Sequence, residues 1–173
     1  EQLAADLKRD IAELDGLIDE ILLASRIEAT GVLQTSEEVD LLALAAEECA
    51  RYECELGGEP VTMRGDPRLL RRMIRNLLEN AERHGKPPVT VNLRRAGDRA
   101  VLKVMDAGPG IPAEQREQVF APFYRLTGDP KGAGLGLSLV RQIARLHGGE
   151  AVAEAKADAP SCFTVTLPLV RSA

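Results

Sequence analysis

The sequence predicts an α+β fold, a two-layer α/β sandwich in which helices cover one face of a mixed sheet, preceded by one long bundle helix. Three observations predict it. The first thirty residues repeat apolar positions at bundle spacing, later segments with helical periodicity are bounded by Asp and Gly, and short alternating segments are separated by turns. At 173 residues and 45% hydrophobic, the chain can bury one full core and carry an appended helix.

The bundle helix is predicted from apolar residues spaced alternately four and three apart. They are Leu7, Ile11, Leu14, Ile18 and Ile21, followed by Ser25. Such a seam packs against other helices, and one helix cannot bury it alone. A polar stretch from Gly31 to Ser36 interrupts the pattern. We therefore expect a bundle helix at 1–30, a linker at 31–36 and a compact domain at 37–173.

Helices of the compact domain are predicted over 41–55, 67–84 and 137–147, with a short one near 113–119. Asp40 is the candidate N-cap of the first. The second has Asp66 as N-cap, Pro67 at its first position and Gly85 just past its end, which makes its limits the clearest in the chain. Gly148 and Gly149 stop the last helix.

Strands are predicted at 60–63, 89–93, 101–105, 150–155 and 162–168. Val89, Val91 and Leu93 alternate with polar neighbours before the turn sequence "RAGD". The chain then returns as a hairpin, and its second strand leads directly into Asp106.

Composition excludes several function classes. Only 3% of residues are aromatic, Trp is absent and the net charge is −5, so we expect no nucleic-acid partner. No apolar run approaches membrane-spanning length and no leader begins at Glu1, so we expect a soluble cytoplasmic piece. The cysteines, Cys49, Cys54 and Cys162, are odd in number and lack metal-ligand spacing, and are interpreted as small buried hydrophobes.

The helix at 67–84 carries two asparagines, Asn76 and Asn80, along the border of its apolar stripe. Asn is unfavourable inside helices unless its amide bonds something. Amide oxygens ligate Mg²⁺ without adding negative charge beside a triphosphate, and Arg83 lies on the same face to meet a phosphate. The alternative is a solvated polar edge.

Two glycine-rich segments point to the same ligand. "DAGPGIP" at 106–112 opens with a carboxylate and brings backbone close to a partner, although a plain turn also explains it. Gly132, Gly134 and Gly136 precede a helix whose first N–H groups favour an anion, although flexible loops also use glycine freely. Together the three segments predict a purine at Asp106, a triphosphate at 134–137 and a metal at Asn80.

Six short motifs follow one another along residues 37–170: "NLLENAERHG", "DAGPGI", "FAPFYR", "GAGLGLSLV", "HGG" and "FTVTLPL". In this order they resemble the catalytic ATP-binding domain of sensor histidine kinases, in the superfamily that includes gyrase, a heat-shock chaperone and mismatch-repair ATPases. Residues 1–30, ending "DEILLASRIEA", resemble the second helix of the dimerisation and phosphoacceptor bundle.

This resemblance implies a role for each site residue. Asp106 would accept a hydrogen bond from the adenine amino group, beside Gly108, Gly110 and Ile111, and His84 would stack beside adenine. Asn80 and Asn76 would hold Mg²⁺. Arg83 would contact phosphate. Phe120 and Phe123 would anchor a lid, Arg125 and Lys131 would reach phosphate from it, and Gly132, Gly134, Leu135, Gly136 and Leu137 would form the hinge and phosphate loop. The Phe pair could instead be core, and Lys131 a solvated charge. The lid between Arg125 and Gly132 has six residues, which is short for the family.

The resemblance also implies a reaction. Superfamily members that hydrolyse ATP usually have glutamate where Asn76 stands, because a carboxylate must activate water, whereas imidazole needs less activation. Glu79, one residue before Asn80, is expected to be solvated. We expect a protein-histidine kinase that uses ATP and Mg²⁺, releases ADP and passes the phosphoryl group to a response-regulator receiver domain. Its parent protein would be a homodimeric sensor of a bacterial inner membrane.

The acceptor histidine is expected on a missing first bundle helix. His84 and His147 are the only histidines, and both lie within the ATP-binding segment, so we expect no self-phosphorylation. Two other functions stay open: an ATP-hydrolysing clamp of the same superfamily, and a catalytically silent nucleotide-binding module.

Overall fold

The computed structural model describes residues 1–125, 134–154 and 160–169. The predicted Lys131, Gly132 and six-residue lid lie outside these described residues.

The chain begins with α1, Gln2–Thr30, which ends where Gly31 takes a left-handed φ of 61° and donates its N–H to the Ile27 carbonyl. The face that carries Ile27, Leu23 and Ala24 packs toward the core of the following domain. The predicted seam is exposed by between 40% and 58% at each of its apolar residues: Leu7, Ile11, Leu14, Ile18 and Ile21. Within this single chain, the seam therefore has no covering partner among the described residues.

In the part of the domain that the structure describes there are three further helices and seven strands. The helices are α2, Leu41–Tyr52, α3, Pro67–His84, and α4, Gly136–Leu146, with single 3-10 turns at Ala113–Gln115 and Gln118–Phe120. The strands are β1, Glu37–Asp40, β2, Glu55–Gly58, β3, Thr62–Gly65, β4, Thr90–Ala96, β5, Arg99–Asp106, β6, Glu150–Glu154, and β7, Ser161–Pro168. The main sheet has the order β2-β4-β5-β7-β6, and only β2 with β4 is a parallel pair. The predicted α+β sandwich with a mixed sheet is confirmed.

Two strands were not predicted, and α2 is shorter than expected. The predicted helix to Glu55 is wrong at its end because Glu53 adopts a left-handed φ of 51° and donates its N–H to the Cys49 carbonyl. Residues 55–58 instead form β2 at the sheet edge. Its sequence, Glu-Leu-Gly-Gly, is poor in strand-forming residues. β1 buries only Val39 and pairs with β3 outside the main sheet.

Helix α3 forms the centre of the core. Asp66 caps it by accepting from the N–H groups of Arg68 and Leu69. Its fully buried apolar face consists of Leu70, Met73, Ile74 and Leu77. α3 packs beside α4 and α2, and these helices form the layer over the sheet. This packing places the C-terminal half of α3, the N-terminus of α4 and the end of β5 around one space.

None of the described helices combines the length and apolar character needed to cross a membrane.

Candidate functional site

A single cavity gathers most of the predicted site residues. Including its open mouth it measures about 1080 Å³. The predicted residues on its wall are Asn76, Asn80, Arg83, His84, Asp106, Gly110, Ile111, Arg125, Gly134, Leu135, Gly136 and Leu137. Elements far apart in sequence therefore contribute to one concave site.

Asp106 is a buried carboxylate at the end of β5, only 4% exposed. Its Oδ1 accepts from the N–H of Gly108 at 2.7 Å and from the N–H of Lys86 at 3.3 Å. Among the described residues both donors go to Oδ1, so Oδ2 is the oxygen that a ligand in the cavity could use. The two backbone bonds hold the carboxylate in one orientation before any ligand arrives.

Two glycines make room for this carboxylate. A Cβ on Gly85 would lie 2.3 Å from Asp106 Cγ, and one on Gly108 would lie 2.6 Å from Asp106 Oδ1. Both contacts are shorter than real side chains tolerate. The glycines after α3 and after β5 therefore allow two backbone segments to close on Asp106.

The two asparagines of α3 lie in different settings. Asn76 is 3% exposed, and its Nδ2 donates to the Gly136 carbonyl at 3.2 Å. Its Oδ1 is buried and has no hydrogen-bond partner among the described residues. A buried acceptor without a donor is costly in a folded protein. Asn76 lines the cavity, so its Oδ1 is an acceptor that a ligand there could satisfy.

Asn80 also lines the cavity, one turn further along α3, and is half-buried. Among the described residues, no group of three or more His, Cys, Asp and Glu side chains gathers as a metal site. The two amide oxygens are donors in this cavity that suit a hard cation without adding negative charge.

The N-terminus of α4 faces the same cavity. Leu135, the residue before the helix, makes no side-chain cap, and the first turn carries no acidic residue. Gly134 has a left-handed φ of 74° and its carbonyl accepts from the Phe123 N–H at 3.0 Å. Uncapped N–H groups at a helix N-terminus favour an anion. This end of the cavity therefore suits a phosphate.

Among the predicted residues that the structure describes, three are not part of the cavity wall. Gly108 contacts Asp106 by donating its N–H to the carboxylate. Phe120 is in the core, 5% exposed, with its ring edge-on to Phe163 at 6.1 Å and the Arg141 guanidinium over its face at 4.2 Å. Phe123 is 62% exposed and borders a shallower pocket against Ile21 of α1. Their predicted roles as backbone contact and lid anchors stay predictions.

The environment of Glu79 differs from the one that the sequence predicts. The prediction of a solvated side chain is wrong, because Glu79 is half-buried, lines the cavity and accepts from the Tyr52 hydroxyl at 3.0 Å. Helical rotation alone placed it on an outer face, but α2 covers that face with Tyr52. Burial and the nearby Glu79 raise the pKa of Tyr52 to about 12, so the tyrosine stays a donor.

Glu20 of α1 also lines the cavity, and no motif pointed to it. It pairs with Arg72 of α3 at 3.3 Å. Burial raises the pKa of Glu20, and Glu79 adds to this rise, against the opposing effect of Arg72 and Arg83. The long helix therefore contributes an acidic group to the cavity that the compact domain forms.

Further wall residues were missed for different reasons. They are Gly85, Pro109, Val119, Tyr124, Ser161 and Phe163. Gly85 and Pro109 lie within motifs that the sequence did single out, and Phe163 begins another, so these motifs were a usable signal. Ser161 lies on β7, which pairs with β5 beside Asp106, and only the strand order reveals it.

The two histidines differ sharply. His84 is exposed and lines the cavity. His147 is buried: its Nδ1 lies 2.7 Å from the Ile143 carbonyl and its Nε2 accepts from the Asp66 N–H at 3.1 Å. This pattern assigns the proton to Nδ1 and engages both ring nitrogens.

Comparisons with known proteins identify the family of the chain. Residues 65–171 match the family described as histidine kinase-, DNA gyrase B- and HSP90-like ATPases. The chain is 34% identical over 166 residues to the signal transduction histidine-protein kinase AfsQ2 of Streptomyces coelicolor, covering 90% of this chain and 30% of that protein. It thus spans under a third of the length of that curated relative.

Solved structures show the same relationship. The mycobacterial sensor histidine kinase MprB superposes with a TM-score of 0.68 at 30% identity, over 78% of this chain and 97% of that one. The Acinetobacter baumannii histidine kinase AdeS covers 99% of this chain and 86% of its own, with a TM-score of 0.85 at 22% identity, which supports the fold. The chain belongs to the histidine kinase-, DNA gyrase B- and HSP90-like ATPase family, as the ATP-binding catalytic domain of a sensor histidine kinase.

Proposed function

We propose that this chain binds ATP with Mg²⁺ and transfers the γ-phosphoryl group to a histidine on another helix, from which it passes to a response-regulator aspartate. The observation that carries the proposal is the convergence of three groups on one cavity: the buried Asp106 carboxylate, the Asn76 Oδ1 that has no partner in the described part of the chain, and the uncapped N-terminus of α4.

The base would lie at the Asp106 end. The Oδ2 of that carboxylate, which accepts no hydrogen bond from the residues that the structure describes, suits the amino group of adenine, a donor, and not the oxygen that guanine carries at the same position. Ile111 and Phe163 supply buried apolar wall beside it, and His84 supplies a ring at the rim. The chain would therefore select adenine over guanine.

The residues present fit a magnesium ion. Asn76 and Asn80 would hold it, because their oxygens are neutral and one of them lacks any other partner among the described residues. When bound, the ion neutralises phosphate charge and orients the γ-phosphoryl group. Because both side chains are neutral amides, neither adds negative charge beside the phosphates.

The phosphates would lie toward the N-terminus of α4. Its N–H groups and the Arg83 guanidinium would bind phosphate oxygens, and Arg125 lies at the same wall. Asn76 is an amide and cannot take a proton from water as a general base. This favours transfer to an imidazole, already a nucleophile at neutral pH, over hydrolysis.

The phosphate acceptor would be a histidine outside this chain. His147 is buried with both ring nitrogens engaged. It follows α4, about 15 Å along the axis from the helix N-terminus at 1.5 Å per residue. His84 belongs to the rim of the proposed base end. The exposed seam of α1 would pack with the helix that carries the acceptor and with a second copy of the protein, as part of a sensor anchored in an inner membrane.

Radiolabelling tests the proposal. With γ-labelled ATP and Mg²⁺, the chain alone should stay unlabelled, whereas a partner protein with an acceptor helix and an inactivated ATP site should gain acid-labile label. Asp106→Ala in this chain should abolish that transfer. Acid-labile label on this chain alone, lost in His84→Ala or His147→Ala, would contradict the placement of the acceptor.

Steady release of inorganic phosphate by the chain alone would favour the hydrolysing clamp instead. Failure to bind Mg²⁺-ATP would favour the silent nucleotide-binding module.

A further inference from the structure

Cys49 and Cys54 lie at the two ends of the turn that terminates α2. Cys49 is on the helix and 4% exposed, while Cys54 follows the helix and is half-buried. Between them, Glu53 takes the left-handed conformation and donates its N–H to the Cys49 carbonyl. The Cys54 N–H reaches the same carbonyl at 3.3 Å.

This hydrogen bonding brings the two side chains together. In a helix end of this kind the residue after the left-handed position packs on the residue five before it. Here both residues are cysteines: Cys49 belongs to the core cluster and Cys54 packs against that cluster. A backbone N–H bonded to the carbonyl five residues earlier also brings the two Cα atoms roughly into the 4.4–6.8 Å range that a disulfide spans.

The backbone on both sides of the pair is fixed. Cys49 is held by α2, and the residue after Cys54 donates its N–H to the Val89 carbonyl at 3.0 Å, where β2 begins. The sulfur atoms can therefore bond by side-chain rotation, without movement of the chain. Many helices end with a hydrophobic contact between these same two positions. A disulfide between Cys49 and Cys54 would use the same geometry, so such a contact is compatible with it.

We propose that Cys49 and Cys54 are an oxidisable thiol pair that forms an intramolecular disulfide when the protein reacts with a peroxide. The site is separate from the nucleotide cavity, and the proposal does not depend on the proposed function.

The chemistry assigns a different part to each thiol. Cys54 is the thiol that an oxidant can reach: its sulfur attacks one peroxide oxygen, breaks the O–O bond and becomes a sulfenic acid, and the other oxygen leaves as water after taking a proton. The Cys49 sulfur then attacks the Cys54 sulfur. The S–O bond breaks, and the hydroxide takes the Cys49 proton and leaves as a second water. Two thiols lose two protons and two electrons, and hydrogen peroxide is reduced to two waters.

Burial raises the pKa of the Cys49 thiol, and the neighbouring Cys54 adds to this. Cys49 therefore remains protonated in the resting protein and acts as the second, resolving sulfur. This order fits its burial, since hydrogen peroxide must reach Cys54 first.

Cys162 supplies an internal control. It lies on β7, is half-buried, and its sulfur is 3.8 Å from the Thr164 hydroxyl. Among the described residues it contacts no other thiol. Cys162→Ser therefore leaves the proposed pair untouched.

The experiment is intact mass spectrometry of the folded, reduced chain after treatment with an equimolar amount of hydrogen peroxide and alkylation of remaining thiols. The wild type should lose about 2 Da, the two hydrogens released, and keep one alkylatable thiol of its three. Cys162→Ser should lose the same mass and keep none. Cleavage after Arg51, between the two cysteines, should release two peptides that separate only on reduction.

Cys54→Ser should show no loss of hydrogen. Cys49→Ala serves as the second variant, since serine at a buried position could unfold the chain, and it should instead gain oxygen at Cys54. The proposal fails if the folded wild type gains only oxygen, if the bond involves Cys162, or if the disulfide joins two chains.

Discussion

Glu20 of α1, on the wall of the nucleotide cavity, forms an ion pair at 3.3 Å with Arg72 of α3, and the two side chains are 18% and 28% exposed respectively. This pair connects the long helix to the ATP-binding domain, and Glu20 also interacts electrostatically with Arg83, the proposed phosphate contact. A carboxylate there repels a triphosphate.

Glu20→Gln should therefore tighten ATP binding. Removing one negative charge from a partly desolvated wall is worth about 1 kcal/mol, or about a fivefold fall in Kd. Calorimetry at low and high salt measures it, and the gain should shrink as salt rises. The matched control is Glu13→Gln, an exposed position on the same helix. Equal affinities in the wild type and the Glu20 variant would refute the repulsion.

The docking of α1 should also depend on pH. Because burial raises the pKa of Glu20 above its ordinary value of 4.5, the protonated form is favoured in the folded chain. The stabilising contribution is complete below pH 4.5 and is lost as pH rises through the raised pKa. Glu20→Gln should melt above the wild type at pH 7, and this difference should vanish as the pH falls to 4.5. A difference independent of pH would contradict the shift.

Asp106→Asn should reduce ATP affinity by about 1 to 2 kcal/mol and reduce the preference for ATP over GTP. The amide oxygen can still accept from the Gly108 and Lys86 N–H groups, which directs its NH₂ into the cavity. An NH₂ group opposes the adenine amino group but suits the guanine oxygen. Competition binding with both nucleotides measures the change, with Asp98→Asn in the exposed β4–β5 turn as control. Equal affinity of the wild type for ATP and GTP would remove the base-reading role.

The dependence of ATP binding on magnesium distinguishes asparagines that ligate the ion from asparagines that have only a structural role. Asn76→Ala and Asn80→Ala should each weaken Mg²⁺-ATP binding about tenfold but weaken metal-free ATP binding far less, since the lost contact is to the ion. Calorimetry with and without a chelator gives both values. Asn92→Ala on β4, away from the cavity wall, should change neither. An equal loss in both conditions would mean that the amides act without the metal.

How far the sequence predicted this site depends on what each residue contacts. Asp66, Pro67 and Gly85 delimit α3 locally, so its limits were predictable, and the motif residues on the cavity wall followed. Glu20 and Glu79 were not predictable, because their environment is made by Arg72 and by Tyr52 from another helix. Strand β2 was not predicted because its two glycines have weak strand propensity, which its pairing with β4 outweighs.

The glycines at 134 and 136 should respond differently to alanine. A Cβ on Gly134 would lie 2.5 Å from the Tyr124 carbonyl oxygen, and its φ of 74° disfavours any side chain. Gly134→Ala should therefore lower the melting temperature together with ATP affinity. At Gly136 the nearest atom to a Cβ is Asn76 Nδ2, 4.0 Å away. Gly136→Ala should melt like the wild type yet bind ATP more weakly, because the added methyl occupies phosphate space.

Thermal melting and calorimetry on the same samples distinguish the two effects. A Gly136→Ala protein that both melts and binds ATP normally would place the phosphates away from the α4 N-terminus.

Glu48 joins α2 to α3 and should be the carboxylate with the largest effect on stability. It is fully buried, and both of its oxygens accept from Arg75 at 3.0 Å. Glu48→Gln would leave a guanidinium without its counter-charge, at a cost of about 3 to 5 kcal/mol in the free energy of unfolding. Glu47→Gln is the control, because Glu47 pairs with Arg71 from a side chain that is 58% exposed and should cost under about 1 kcal/mol.

The pH dependence gives this prediction a second readout. Burial by itself raises the pKa of Glu48, but the hydrogen bonds and charge of Arg75, with Arg51 and Arg71, outweigh it and hold the pKa below its ordinary 4.5. The contribution of Glu48 is therefore complete above pH 4.5 and is lost as the pH falls through the lowered value. In urea unfolding, the difference between wild type and Glu48→Gln should stay constant from pH 7 to 5 and shrink only in stronger acid. A difference that already shrinks above pH 5 would mean that burial, and not the arginines, dominates at Glu48.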